Sequence, residues 1–194
     1  SGAACVSKLK RSLARILLFL KRWEREMLNC FYPDEYLDSI YAIHFEQLKK
    51  EGYKGVLFDI DNTLVPHGAP ADEKAKEFFA HLRELGIAYC VISNNQLERV
   101  KPFADAVGAL YIENAHKPSV KNYKKAMQML GCTTEDAIFI GDQIFTDIYG
   151  AKKAGMRTIL VKPIHPKEEI QIVLKRYLEK IVLYFYKRKK ARKS

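Results

Sequence analysis

Four times between residues 72 and 161 the chain repeats one pattern: an amphipathic stretch, a glycine, then a short apolar run. The amphipathic stretches run from Asp72 to Leu85, Gln96 to Val107, Pro118 to Leu130 and onward from about Thr146. Gly86, Gly108, Gly131 and Gly155 close them. The apolar runs are 87–92, 109–112, 137–140 and 157–161, and a fifth, Val56 to Phe58, precedes the series. Ala75, Phe78, Phe79, Leu82 and Leu85 fall on one helical face, and a glycine just past such a helix supplies the left-handed turn that reverses the chain. Runs that are apolar throughout suit strands covered on both sides. About five strands alternating with four helices predict an α/β fold, an open parallel sheet with helices on both faces. Ligands of such sheets bind beyond the carboxyl ends of the strands.

Polar residues collect where that rule places them. Val56 to Phe58 delivers Asp59 and Asp61, a pair of acids that is costly at the end of an apolar strand unless a cation or a reactive phosphate uses it. One carboxylate can bind a metal and attack phosphorus while its neighbour moves a proton. An EF-hand is rejected, because that loop needs glycine at its sixth position and glutamate at its twelfth, where Leu64 and Pro70 stand. A second station is Ser93-Asn94-Asn95 after the second strand, where a hydroxyl and backbone N–H groups suit phosphate oxygens or, more plainly, cap a helix. The third is Lys117, a compact positive charge or a solvated lysine; His116 beside it has no second ligand nearby in sequence and reads as structural. The fourth is Gly141-Asp142 with Asp147, the latter also readable as an acid complementing a helix start. Oxygen ligands in this number suit Mg²⁺. The four stations together are far more specific than any one of them.

The 194 residues carry a net charge of +10, unevenly placed. Residues 1–30 hold seven Lys/Arg against two acids, residues 165–194 ten against three, and residues 31–164 sixteen against eighteen. This divides the chain into a basic N-terminal helix (1–30), a nearly neutral domain (31–164) and a basic C-terminal helix with a polybasic tail (165–194). Basic ends imply an anionic partner, a membrane surface or nucleic acid. From Ser7 to Cys30, Leu9, Leu13, Ile16, Leu17 and Leu20 keep helical spacing beside basic residues and Trp23, which suits an interfacial helix as well as one packed on the domain. Its apolar run Ile16 to Leu20 is far shorter than the roughly 20 residues of a bilayer span, and it does not read as a cleavable signal. Pro33-Asp34 reads as the start of a helix carrying Tyr36, Leu37, Ile40 and Ile43, followed by a short helical piece from Phe45 to Glu51. Cys5, Cys30, Cys90 and Cys132 show neither metal nor disulfide spacing, Cys90 reads as core, and a reducing cytoplasmic setting fits. The chain begins at Ser1, so the expectation is that its native start is missing or replaced.

Asp59-Ile60-Asp61-Asn62-Thr63, Ser93, Lys117 and Gly141-Asp142 with Asp147 resemble the four motifs of the haloacid dehalogenase superfamily, in order, over roughly residues 53–162. Phe31 to Pro66 resembles more narrowly the subgroup IIIA phosphatases, which include phosphatidylglycerophosphate phosphatases. The resemblance implies a Rossmann-like core in which Asp59 is the nucleophile and Asp61 the general acid and base. Mg²⁺ would be held by the Asp59 carboxylate, the Asp61 carbonyl and Asp142, with Asp147 supporting. Ser93 and the Asn94 backbone would orient phosphoryl oxygens, and Lys117 would neutralise phosphate and nucleophile. Family members often insert a cap domain, but 34 positions from Asp59 to Ser93 and 24 from Ser93 to Lys117 leave no room for one. The expectation is an uncapped, peripherally membrane-associated cytoplasmic phosphatase acting on an anionic phospholipid, phosphatidylglycerophosphate. The alternatives are a phosphatase for sugar phosphates, nucleotides or polynucleotide ends, and a non-catalytic adaptor binding RNA or lipid. Nucleic acid is the less favoured partner, because the aromatics lie in aliphatic helical stripes and not interleaved with charge on a sheet.

Overall fold

The computed structural model describes residues 28–165 and 170–192. Six parallel strands form one sheet: β1 (Glu35–Leu37), β2 (Gly55–Phe58), β3 (Ala88–Ile92), β4 (Leu110–Ile112), β5 (Ala137–Gly141) and β6 (Arg157–Val161), in the order β1-β6-β5-β2-β3-β4. The helices are α1 (Phe45–Lys50), α2 (Glu73–Glu84), α3 (Leu97–Val107), α4 (Val120–Leu130), α5 (Tyr149–Lys153) and α6 (Ile170–Ala191). Each β-strand from β2 to β6 is followed or preceded by a single helix, and no cap domain is inserted between Asp59 and Ser93 or between Ser93 and Lys117.

Side-chain alternation along the central strand builds the two faces. Val56 and Phe58 turn to one side, where they join Phe78, Phe79 and Leu82 of α2 and Val100 and Phe103 of α3. Leu57 turns to the other, with Cys90, Ile92, Phe139 and Tyr123 and Met127 of α4. Phe58 meets Phe78 and Phe79 edge-on at centroid distances of 5.7 and 5.5 Å, an arrangement the ring quadrupoles favour. Asp72 caps α2 by accepting the Ala75 N–H at 2.8 Å. Gly108 and Gly131, at φ of 68° and 65°, close α3 and α4 in the left-handed conformation expected of them. Cys90 is core, and burial pushes its thiol up to about 12.

A third apolar cluster, Tyr32, Ile144, Ile148, Leu160, Val182 and Tyr186, seats α6 against the body of the domain. The N-terminal helix expected over Ser7 to Cys30 lies, up to residue 27, outside the described residues. Among the described residues no helix is long and apolar enough to cross a membrane.

The open parallel sheet expected with about five strands has six, and one expectation is corrected: the segment after Pro33-Asp34 is an edge strand and not a helix. The Asp34 carboxylate accepts the Thr158 N–H at 2.8 Å and its hydroxyl at 2.9 Å, while the Asp34 N–H donates to the Thr158 carbonyl at 3.1 Å. Residue 34 is thereby fixed beside β6, and Glu35, Tyr36 and Leu37 pair with Ile159, Leu160 and Val161. The segment near Thr146 also differs: a π turn, Ile144–Ile148, precedes the short α5.

Candidate active site

The acids follow directly from the strands. Asp59 continues β2, its N–H donating to the Ile140 carbonyl at 3.0 Å, and Asp142 is the residue after β5. β2 is the central strand, flanked by β5 on one side and β3, which delivers Ser93, on the other. The π turn brings Asp147 back over the end of β5. Gly141 permits this closeness, since a Cβ there would lie 2.5 Å from Asp147 Oδ2. Asp59, Asp142 and Asp147 are all buried, and each offers an oxygen within 4.8 Å of the others.

Lys117 is inserted among them. Its ammonium donates to Asp59 Oδ1 at 2.5 Å and to Asp147 Oδ1 at 2.6 Å, with only 3% of the side chain exposed. Burial alone would push this ammonium down, but Asp147 and Asp59 together outweigh it and hold it above its ordinary range. For Asp59, burial pushes the carboxyl up to about 7 against the attraction of Lys117, and Asp147 adds repulsion. Burial likewise raises Asp142 well above the usual carboxylate range despite the Arg176 guanidinium beside it.

Asn94 has a role that the motif alone did not give it. Its Oδ1 accepts the Lys117 N–H at 2.6 Å and its Nδ2 donates to the Lys117 carbonyl at 3.2 Å, so the side chain clamps the lysine's backbone. Ser93 is buried, and its hydroxyl accepts the Asn95 N–H at 3.1 Å, the local turn that orients the strand's exit. All the non-glycine residues with positive φ among the described residues, Asn62, Asn114 and His116, lie in these loops, a concentration of backbone strain usual at functional sites.

The Asp61 carboxylate is held by partners of its own. Its Oδ1 accepts from the Gly68 N–H at 2.8 Å and from Arg99 at 2.8 and 3.3 Å, and its Oδ2 from the Asn95 amide at 2.5 Å. Arg99, from α3, and Asn95 therefore fix this second acid, and neither carried a signal in the sequence beyond nearness to Ser93. Two further residues come from α6. Arg176 donates to the Asp142 carbonyl at 2.6 Å and also pairs with its carboxylate, and Glu179 accepts from Arg176 at 2.9 Å. Thr63 completes the setting by donating its hydroxyl to Asp142 Oδ1 at 3.2 Å.

Three buried carboxylates with oxygen donors alone form a set for a hard divalent cation, although Lys117 and Arg176 already offset part of their charge. The same cluster offers a nucleophilic carboxylate, Asp59, beside a cationic donor suited to phosphoryl oxygens, Lys117.

The family model described as "Hydrolase: haloacid dehalogenase-like hydrolase" matches residues 67–155. "Probable phosphatase YqeG" of Bacillus subtilis is 37% identical over 160 residues, which cover 82% of this chain and 93% of that protein. The chain belongs to the haloacid dehalogenase-like hydrolases. It is an enzyme, a phosphoric monoester hydrolase of that family. "Phosphatidylglycerophosphate phosphatase 1, chloroplastic/mitochondrial" of Arabidopsis thaliana is 30% identical over 172 residues. That alignment covers 80% of this chain but 47% of the plant protein, so the chain spans about half its length. A haloacid dehalogenase family hydrolase of Deinococcus radiodurans, solved with bound phosphate and sodium, shares the fold at a TM-score of 0.50. Its identity is 18%, over 65% of this chain and 88% of that one. Asp59 and Asp61 precede the span of the family model, so their place in the site is carried by the geometry above.

Proposed function

We propose that the protein is an Mg²⁺-dependent phosphomonoesterase that works through an aspartyl-phosphate on Asp59. The observation that carries the reading is the buried cluster of Asp59, Lys117, Asp147 and Asp142 at the carboxyl ends of the central strands. Asp59, Asp142 and the Asp61 carbonyl would hold the cation, and Asp147 either supports them or contributes an oxygen of its own. When bound, the cation supplies positive charge against the phosphate and the nucleophile.

The steps belong to the chain's own residues. An Asp59 oxygen attacks phosphorus in line, the bond to the ester oxygen breaks, and Asp61 gives its proton to the departing alkoxide. In the second half Asp61 takes a proton from water, whose oxygen attacks phosphorus and releases Asp59 and inorganic phosphate. Arg99 and Asn95 hold the Asp61 carboxylate as an acceptor for this step. Lys117 and Ser93, with the Asn94 N–H, bind the phosphoryl oxygens, and Asn94 also keeps Lys117 in place.

We further propose that the substrate is phosphatidylglycerophosphate, met at an anionic membrane surface, with 1–30 and 165–194 as membrane-facing ends of the 31–164 domain. An uncapped site can receive a headgroup phosphate whose acyl chains remain in the bilayer. Tyr177, Leu178, Ile181, Tyr184 and Phe185 are exposed on α6 beside Lys180, Lys187 and Arg188, a mixture suited to the interface of an anionic leaflet. The likeness to the plant phosphatidylglycerophosphate phosphatase supports the lipid by analogy.

The test measures phosphate release from phosphatidylglycerophosphate in mixed micelles and from soluble sugar and nucleotide monophosphates. Wild-type protein should turn over the lipid fastest, EDTA should stop turnover, and Mg²⁺ should restore it. Asp59→Asn should abolish turnover and the phosphoenzyme trapped by acid quench. A soluble monophosphate consumed far faster than the lipid would refute the substrate and leave the phosphatase chemistry standing.

A further inference from the structure

We infer that Arg176 is a positioning residue for Asp142, and that α6 is in this sense part of the active site. The inference rests on the metal-dependent reading above and goes beyond it. Arg176 grips Asp142 at two places, the carbonyl through one nitrogen and the carboxylate through the other. A guanidinium is a planar fork, and spanning both groups fixes the direction of the acid as well as its charge.

The arginine is itself held. Glu179, one turn further along α6, accepts from Arg176 at 2.9 Å and takes the Ile144 N–H on its other oxygen at 2.7 Å. Ile144 opens the π turn that carries Asp147. One arginine–glutamate pair therefore braces the residue after β5 and the first residue of the turn bearing the neighbouring acid. Val182 and Tyr186 hold the helix against Ile144, Ile148 and Leu160, so the brace stands on a packed base.

Burial gives the arrangement its weight. The Asp142 side chain is fully buried and the Arg176 and Glu179 side chains are 16% and 6% exposed. Charges withdrawn from water to this degree persist where each meets a partner of fixed geometry. Thr63 steadies the remaining Asp142 oxygen from the β2 side. Asp142 is thus set from two directions, by the loop after β2 and by a helix far along the chain.

The test uses full-length protein and Mn²⁺ as the probe, with binding read from the electron paramagnetic resonance of free Mn²⁺ and folding from urea denaturation. Arg176→Gln is expected to weaken Mn²⁺ binding by about 10–100-fold, the usual effect of removing a partner that orients a metal ligand. Arg176→Lys should recover part of the loss, since one ammonium keeps the charge but cannot span both acceptors, and Glu179→Gln should cost less than Arg176→Gln. Unchanged or tighter binding in folded Arg176→Gln, with Asp142→Asn losing the ion, would overturn the inference and leave the phosphatase reading intact; tighter binding would mean that the guanidinium competes with the cation. If Arg176→Gln does not fold, wild-type affinity in both Arg176→Lys and Glu179→Gln overturns it equally. Absence of Mn²⁺ binding by the wild type would overturn the metal-dependent reading and this inference together.

Discussion

Replacing Gly141 by alanine tests how closely the site is set. An added Cβ would lie 2.5 Å from Asp147 Oδ2 and 2.7 Å from its Cβ and Cγ, whereas ordinary contact begins at 3.4 Å. The closest of these falls short by about 0.9 Å, and Asp147 is fully buried, in an interior where close packing resists such a shift. Two consequences follow. Overpacking of this kind typically destabilises by about 1–3 kcal/mol. A carboxylate pushed by nearly an ångström leaves Lys117 and its fellow acids misaligned, and a misplacement of about 1 Å can cost on the order of 10²-fold in rate. Gly55→Ala is the control, because its Cβ would meet Cys132 Sγ at 2.5 Å at the opposite end of the central strand. Urea denaturation and phosphate release on both variants separate the effects. Both should lose stability, and only Gly141→Ala should lose turnover in the folded protein by roughly 10²-fold. Full turnover by folded Gly141→Ala would refute the claim that Asp147 must stay where β5 and the π turn place it.

Lys117→Met should destabilise the cation-free protein by about 3–5 kcal/mol, because Asp59 and Asp147 would be left buried without their shared cation; a loss under about 1 kcal/mol in urea with EDTA would contradict this. Asp34→Asn should flatten the acid limb of stability. Burial pushes the Asp34 carboxyl up, but Lys152 and Thr158 outweigh it and hold it below its ordinary value. A depressed carboxyl adds stability above its unfolded value of about 3.9 and loses it as pH falls through the folded one. The difference in urea midpoint between wild type and Asp34→Asn should therefore shrink below about pH 4, and a constant difference down to pH 2 would rule the contribution out.

The sheet and the acids were legible because both depend on local pattern. Apolar runs of strand length, helices with one greasy face and glycines past their ends locate β2 to β6 within a residue or two, and Asp59, Ser93 and Asp142 fall at strand ends for the same reason. β1 was not legible. It is three residues long and owes its conformation to Thr158, more than a hundred residues away, while Pro33-Asp34 locally imitates a helix start. The partners of the acids were hidden in the same way. Arg99 sits among other charges on α3, and nothing in its neighbours announces that it reaches Asp61. Arg176 and Glu179 lie in a segment whose basic residues suggest only an anionic surface, and contact with Asp142 appears once α6 is folded back on Ile144 and Leu160. Asn94 was read for its backbone, although its side chain makes the two bonds that hold Lys117.

The sheet ends at both rims in a strand of only three residues, β1 on one side and β4 on the other. An open rim is a template on which a second chain can add a strand, and shortness is among the common ways natural sheets prevent this. β1 is further bounded by Pro33, which has no N–H to offer, and by Asp38, which is paired with Lys162. Neither rim gives an incoming strand more than a few hydrogen bonds. Five exposed large apolar side chains, Tyr177, Leu178, Ile181, Tyr184 and Phe185, share a helix, α6, whose backbone groups bond within the helix, whereas the rim strands expose only Leu110. Self-association of this protein, where it occurs at high concentration, should therefore be helical and reversible in detergent, with no growth of intermolecular sheet in the infrared amide band.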